Sequence, residues 1–157
     1  MTAAQSSRPE LAQVADMSLS VARALLDEVQ HQAEARGVRL AAVVVDRGGN
    51  TVACMRMDGA QLGAGSLALD KAVTAVSFGY PTRAWLTSSA PGGSDWGLAH
   101  TLGGRAIVFP GGLPIFSPAG GLVGGIGVSG TASDVDEACA EAAVVAGSLT
   151  SSPAAAP

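Results

Sequence analysis

Lysine is nearly absent: eight of the nine basic residues are arginine, and Lys71 is the single lysine. Histidine and cysteine each occur twice, and aromatic residues make up 4% of the chain. Cys54 and Cys139 stand far apart, with no CxxC or Cys/His cluster around them, which argues against a structural zinc site. A net charge of −4 without any Lys/Arg cluster argues against a nucleic-acid partner. No apolar run approaches the roughly 18–20 residues needed to cross a bilayer, so no membrane partner is expected. Charged residues reach only 14%, against roughly 25% in an average soluble domain.

What is present is apolar. The hydrophobic fraction is 48%, the reverse of a disordered chain, and 157 residues suffice for one domain with a real core. So little charge on so apolar a chain points to surface hidden in a homo-oligomer. Residues 1–17 lack the basic start and apolar stretch of a signal peptide, so a reducing, cytoplasmic compartment is expected.

The low-complexity ends read as mobile tails over 1–17 and 150–157, leaving a single domain over 18–149. Within it, Leu19, Ala22, Leu25, Leu26, Val29 and Ala33 follow a helical period over 19–36, with Ser18 or Ser20 as cap and Gly37 as stop. Residues 40–45 read as a strand buried on both faces, 47–50 as a hairpin turn, and 51–57 as the antiparallel return. A second helix with small apolar faces follows over 66–78, and Thr82 is placed to cap a short helix through Leu86. After a loop over 88–95 comes one helical turn over 96–102. Strands are then expected over 105–109, 113–116 and 122–129, and a last helix capped by Ser133 or Asp134 runs through Ala146. The order is that of an α+β domain, with an antiparallel sheet of about five strands covered by helices.

Some motifs fail on context. Residues 125–130 satisfy GxGxxG, but only one helix follows and the second strand of a βαβ unit is missing. Residues 127–131 nearly match a nucleophile elbow, yet Thr131 replaces the last glycine and no histidine lies downstream. Gly124 and Gly125 inside a strand signal close approach of a ligand, or of a packed helix or subunit. His31 reads as a surface residue on the first helix. His100, near glycine-rich loops, reads as an ordinary histidine, a general base or an iron ligand. Arg56 and Asp58 end a strand, while Lys71 and Thr74 share a face of the next helix. If that helix crosses the strand end, two cations and a carboxylate converge. The result is either a pocket for a carboxylate-bearing ligand or a partly buried salt bridge.

Several motifs occur together in order. They are Val44-Val-Asp46-Arg-Gly-Gly49, Arg56-Met-Asp58-Gly-Ala60, Asp70-Lys71-Ala-Val-Thr74-Ala75, Phe78-Gly-Tyr-Pro81-Thr82, Pro91-Gly92, Gly104-Arg105, Pro110-Gly-Gly112-Leu-Pro114 and the segment 124–130. In this set the sequence resembles the GlcG/HbpS-like family (DUF336) over about residues 18–146. The resemblance implies a profilin-like α/β/α sandwich with a five-stranded antiparallel sheet, homo-oligomers of the tetramer or octamer type, and haem binding, under a haem-degrading label. Arg56, Asp58, Lys71, Thr74, Gly111, Gly112 and Pro114 match its motifs and become the pocket candidates. Ser129-Gly130 followed by Asp136 matches the start of the family's last helix, although residues 131–135 depart from its common wording.

Two function classes follow. One is an oligomer that binds haem or another small molecule. There His100, then His31, would ligate iron, and Arg56 or Arg105 would meet the propionates. With 4% aromatics and two histidines, such a site would be shallow rather than a buried pocket. The alternative is a cofactor-free enzyme of isomerase, lyase or hydrolase type on a small anionic or carbonyl-bearing metabolite. There Arg56 would hold the charge, Lys71 would act as acid/base or oxyanion donor, Asp58 would orient it, and the Gly111 and Gly112 amides would form an oxyanion hole. No resident metal is expected in either class.

Overall fold

The structure is a computed structural model and describes residues 10–153. The expected tails fall outside this range over 1–9 and 154–157, whereas within 10–17 Asp16 accepts from the Arg47 amide and Met17 is buried in the core. Helix α1 spans Leu19–Ala35, and Ser18 caps it by accepting a hydrogen bond from the Val21 amide. Its buried stripe is Ala22, Leu25, Leu26, Val29 and Ala33, the set its sequence period marks out. Gly37, at φ +67°, ends it. Strands β1 (Ala41–Val45) and β2 (Thr51–Arg56) form the expected hairpin. Asp46 holds its turn, accepting from the amides of Gly48 and Asn50.

Helix α2 (Ala64–Phe78) ends at Gly79 in a left-handed conformation. A 3-10 turn over Thr82–Trp85, a second over Leu98–His100 and the single turn α3 (Thr101–Gly104) follow. Strands β3 (Gly112–Phe116) and β4 (Leu122–Ser129) and helix α4 (Ser133–Ala146) complete the fold. The sheet is antiparallel with order β2-β1-β4-β3. Helices α1 and α4 pack against each other and cover one face, while α2 covers the other. The main core, including Leu25, Val29, Val44, Ile126 and Val144, fills the α1/α4 side.

Among the described residues the sheet has four strands, not about five, and the strand expected over 105–109 does not form. Helix α2 holds this segment by side-chain bonds instead of a ladder. The Ile107 amide donates to the Thr74 hydroxyl at 2.9 Å, and Arg105 Nε donates to Asp70 at 2.7 Å. Two cap expectations also change. Thr82 is the first residue of its turn, not the cap, and is fully buried. Ala132 precedes α4, and Asp136 reaches back from inside the helix to accept from the Thr131 amide at 3.0 Å.

Packing accounts for the glycines of β4. Because side chains alternate along a strand, Gly125 and Gly127, with Gly112 opposite on β3, point at α2. A Cβ at Gly127 would stand 1.9 Å from the Ala68 carbonyl oxygen, and one at Gly112 would stand 2.4 Å from that of Lys71. The helix backbone therefore lies directly on the sheet, and no ligand occupies that space. Pro114 sits on the edge strand β3, where a missing N–H leaves no interior ladder bond unmade. At the C-terminal end Thr150 pairs with Phe116, so the backbone stays tied to the sheet just past residue 149.

Candidate functional site

The lone lysine occupies the interior. Lys71 is 1% exposed, and its Nζ donates to the Val128 carbonyl at 2.8 Å and to Asp136 at 3.1 Å. The Phe109 ring centroid lies 5.4 Å from the same nitrogen. Gly111 closes this space: its φ is +119°, and a Cβ there would meet Lys71 Nζ at 2.5 Å. Burial pulls the Lys71 ammonium below the usual lysine range, opposed by the charges of Asp136 and Glu137. Burial pushes the Asp136 carboxyl up, opposed by Lys71 and by the amides of Thr131 and Gly130.

Glu137, the next residue on α4, is also buried and accepts from Arg83 Nε at 3.0 Å. Arg83 reaches Asp134 as well, and the two carboxylates hold its guanidinium above the ordinary arginine range. Thr82 accepts from the Gly112 amide at 3.0 Å. Lys71, Thr74, Thr82, Arg105, Gly111 and Gly112 are thus brought together, as the pins that hold residues 105–112 onto α2. Their polar groups are spent on internal partners: Lys71 on Val128 and Asp136, Thr74 on Asp70 and Ile107, Arg105 on Asp70, and Thr82 on Gly112.

Arg56 and Asp58 stand elsewhere. Lys71 packs over β4 and β3, whereas Arg56 ends β2, two strand spacings from β4 at about 4.8 Å each. The expected convergence of Arg56, Asp58 and Lys71 therefore does not occur, and the carboxylate facing Lys71 is Asp136. Arg56 and Asp58 instead line a cleft of about 630 Å³ between the C-terminal half of α1 and the end of β2. Arg39, Met55, Met57, Gln30 and Glu34 complete its walls. Arg39 and Arg56 donate only to carbonyl oxygens, of Val38 at 3.4 Å and Ala60 at 3.3 Å, and neither is in an ion pair among the described residues. Arg83 and Arg105 are both ion-paired.

Neither histidine lines this cleft. His100 is exposed on its 3-10 turn, on the long segment after α2. His31 is exposed on α1 with Nδ1 3.6 Å from Glu28, in a neighbouring groove that Gln30 and Glu34 border from the other side. Among the described residues no group of three or more His, Cys, Asp or Glu could hold a metal ion. No helix among them is long and apolar enough to cross a membrane.

Sequence reading missed Arg39, Met55 and Met57 as cleft residues, and Arg83 and Glu137 in the buried network. A detectable signal existed for the methionines: apolar and charged residues alternate over 55–58, so Met55 and Met57 share the face opposite Arg56, against the main core, and the cleft wraps the strand end to reach both faces. Nothing local could have joined Lys71 to Asp136 across 65 positions.

The described residues form an α/β/α sandwich built on a short antiparallel sheet. A family model described as haem degrading protein HbpS-like matches residues 17–145, and the chain belongs to that family. A 15.0 kDa protein encoded in the dhaT-dhaS intergenic region of Citrobacter freundii is 35% identical over 132 residues, covering 84% of this chain and 92% of that protein. The crystal structure of Klebsiella pneumoniae ORFY matches with a TM-score of 0.86 at 34% identity, over 91% of this chain and 98% of that one. A crystal structure of a PduOC–haem complex matches with a TM-score of 0.83 at 28% identity, over 87% of this chain and 99% of its counterpart.

Proposed function

We propose that this chain binds haem in the cleft between α1 and β2, and does so as a homo-oligomer. The carrying observation is the pair of guanidiniums, Arg39 and Arg56, that line one cleft beside Glu34 and Asp58 and are in no ion pair among the described residues. Arginine forks match carboxylates in geometry, and haem carries two propionates. A volume of about 630 Å³ falls within the roughly 300–1,000 Å³ of small-molecule sites, and Met55 and Met57 give the cleft an apolar wall. Glu34 and Asp58 share the same walls, so the two arginines are the groups that would meet an anion there. The PduOC–haem complex, on the same fold, supports the choice of haem over other anions. When bound, haem would supply redox chemistry at its iron. This chain's own residues would hold the propionates and shield one face of the ring.

The homo-oligomer, of the tetramer or octamer kind, is supported by large apolar side chains left in water. Leu62 is 90% exposed and Trp96 63%. A cytoplasmic location is supported by two free cysteines, Cys54 exposed and Cys139 buried.

The test is a haemin titration followed by Soret absorbance, for the wild type and for Arg39→Ala/Arg56→Ala. The wild type should saturate at about one haem per chain. The double variant should bind roughly 10- to 100-fold more weakly, the loss expected for charge-assisted hydrogen bonds worth about 1.5–3 kcal/mol. Equal affinities would remove the cleft from the proposal. A non-saturating wild type would remove haem itself.

A further inference from the structure

We propose that two copies of this chain join through the open edge of β2, antiparallel and about a two-fold axis, so that their two sheets become one. The inference rests on the homo-oligomer in the reading above and deepens it by naming the surface; it does not depend on haem. Strands β2 and β3 are the two edges of the sheet. An edge strand presents a row of unbonded N–H and C=O groups, which proteins blunt with proline, lysine or a covering segment. Strand β3 is blunted twice. Pro114 in its middle lacks an N–H, and Thr150 exchanges both backbone bonds with Phe116, at 2.8 and 3.2 Å. Strand β2 contains neither proline nor lysine, and no strand covers its outer side among the described residues.

The register of the hairpin fixes which backbone groups are free. The Met57 amide donates to the Leu40 carbonyl at 3.0 Å, and Met55 and Ala53 lie opposite Ala42 and Val44. Bonding direction alternates along an antiparallel strand, so Ala53, Met55 and Met57 turn their backbone groups to β1 while Cys54 and Arg56 turn theirs outward. Pairing Cys54 of one copy with Arg56 of the second satisfies all of these outward groups, with Met55 at the two-fold axis. The two Cys54 residues then stand diagonally across the join, roughly 7–8 Å apart.

Side chains at this edge favour the same occupant. Cys54 and Arg56 border a groove on the α2 side of the sheet together with Leu62, Gly65 and Leu69. Leu62, just before α2, is 90% exposed. A two-fold axis perpendicular to the sheet sets this groove against its own image, so that Leu62 of each copy covers the groove of the other. Charge agrees as well. Arg47 lies in the turn before β2 and Asp58 just after it, and neither is in an ion pair among the described residues. Antiparallel pairing carries Asp58 of each copy toward the turn of the other, so opposite charges meet at both ends of the join. With β3 blunted, the pairing closes at two sheets and does not run on as a fibre.

The experiment measures the mass of the full chain by light scattering after size exclusion, together with amide hydrogen exchange. Wild type should hold an even number of copies. Its Cys54 and Arg56 amides, which have no acceptor within one chain, should exchange about tenfold or more slowly than in an unfolded peptide. Leu62→Asp changes a side chain that is 90% exposed, and Cys54→Lys sets a lysine opposite Arg56 of the second copy. Each should halve the mass and release that protection, while circular dichroism and thermal melting confirm the fold. A short bis-maleimide should link wild type into covalent dimers through Cys54, the exposed cysteine, and should leave Cys54→Ser unlinked on a denaturing gel. An oligomeric wild type whose Cys54 and Arg56 amides exchange freely overturns this interface, as does a mass unchanged in both Leu62→Asp and Cys54→Lys. Either result leaves the homo-oligomer standing. A monomeric wild type overturns the homo-oligomer itself, so the two failures are distinguishable.

Discussion

Replacing Lys71 by methionine removes the one cation that faces Asp136 among the described residues. The change keeps most of the side-chain volume but leaves a carboxyl group 1% exposed, with only backbone amides, that of Thr131 at 3.0 Å and that of Gly130, to face it. Breaking a buried pair from one side costs about 3–5 kcal/mol, because the surviving charge stays out of water. That is a large share of the roughly 5–15 kcal/mol that holds a domain folded. At about 2–4 °C per kcal/mol for this size of chain, Tm should fall by about 6–20 °C. The companion Lys71→Met/Asp136→Leu removes both charges at once. Replacing whole buried pairs is often neutral or better, so this double variant should be more stable than Lys71→Met alone. Urea unfolding of wild type, both single variants and the double variant gives the coupling energy directly. Additive losses, or a Lys71→Met variant within about 1 kcal/mol of wild type, would refute the reasoning.

Other outcomes follow from the same packing. Gly127→Ala should destabilise by about 3 kcal/mol or more, or fail to fold in urea-free buffer, since its methyl would stand 1.9 Å from the Ala68 carbonyl oxygen. Thr74→Val leaves the Ile107 amide without its acceptor and should cost about 1–3 kcal/mol by urea unfolding. Hydrogen exchange at that amide should speed up more than at β1. Hydrogen bonds from the Asn50 backbone amide, its side chain and the Gly48 amide hold the Asp46 carboxyl below its ordinary value. A depressed carboxylate stabilises above its unfolded pKa of about 3.9, and the contribution is lost as pH falls through the lower folded value. Asp46→Asn should therefore show a shallower loss of Tm with acidification below about pH 4.

The legible parts of the sequence were those with local causes. The period of α1, the doubly buried β1 and the turn after Asp46 each carry their reason within a few residues. Residues 105–109 look like a strand because Ile107, Val108 and Phe109 favour one, but hydrogen bonds to α2, not β propensity, decide their state. Gly125 and Gly127 signalled a close approach without saying by what, and the answer, the backbone of α2, is a tertiary fact. Lys71 was singled out by its rarity. Its partner was misassigned because Asp58 is near in sequence, whereas Asp136 is near in space. Arg56 and Asp58 do face an open site, though one completed by Arg39 on the chain entering β1 and by Met57 rather than by Lys71.

The most direct test of the central claim is a crystal structure of the protein grown with haemin. The account predicts the ring in the cleft between α1 and β2, with its propionates on Arg39 and Arg56. Haem seated against His100, or anywhere away from Arg39 and Arg56, would contradict it.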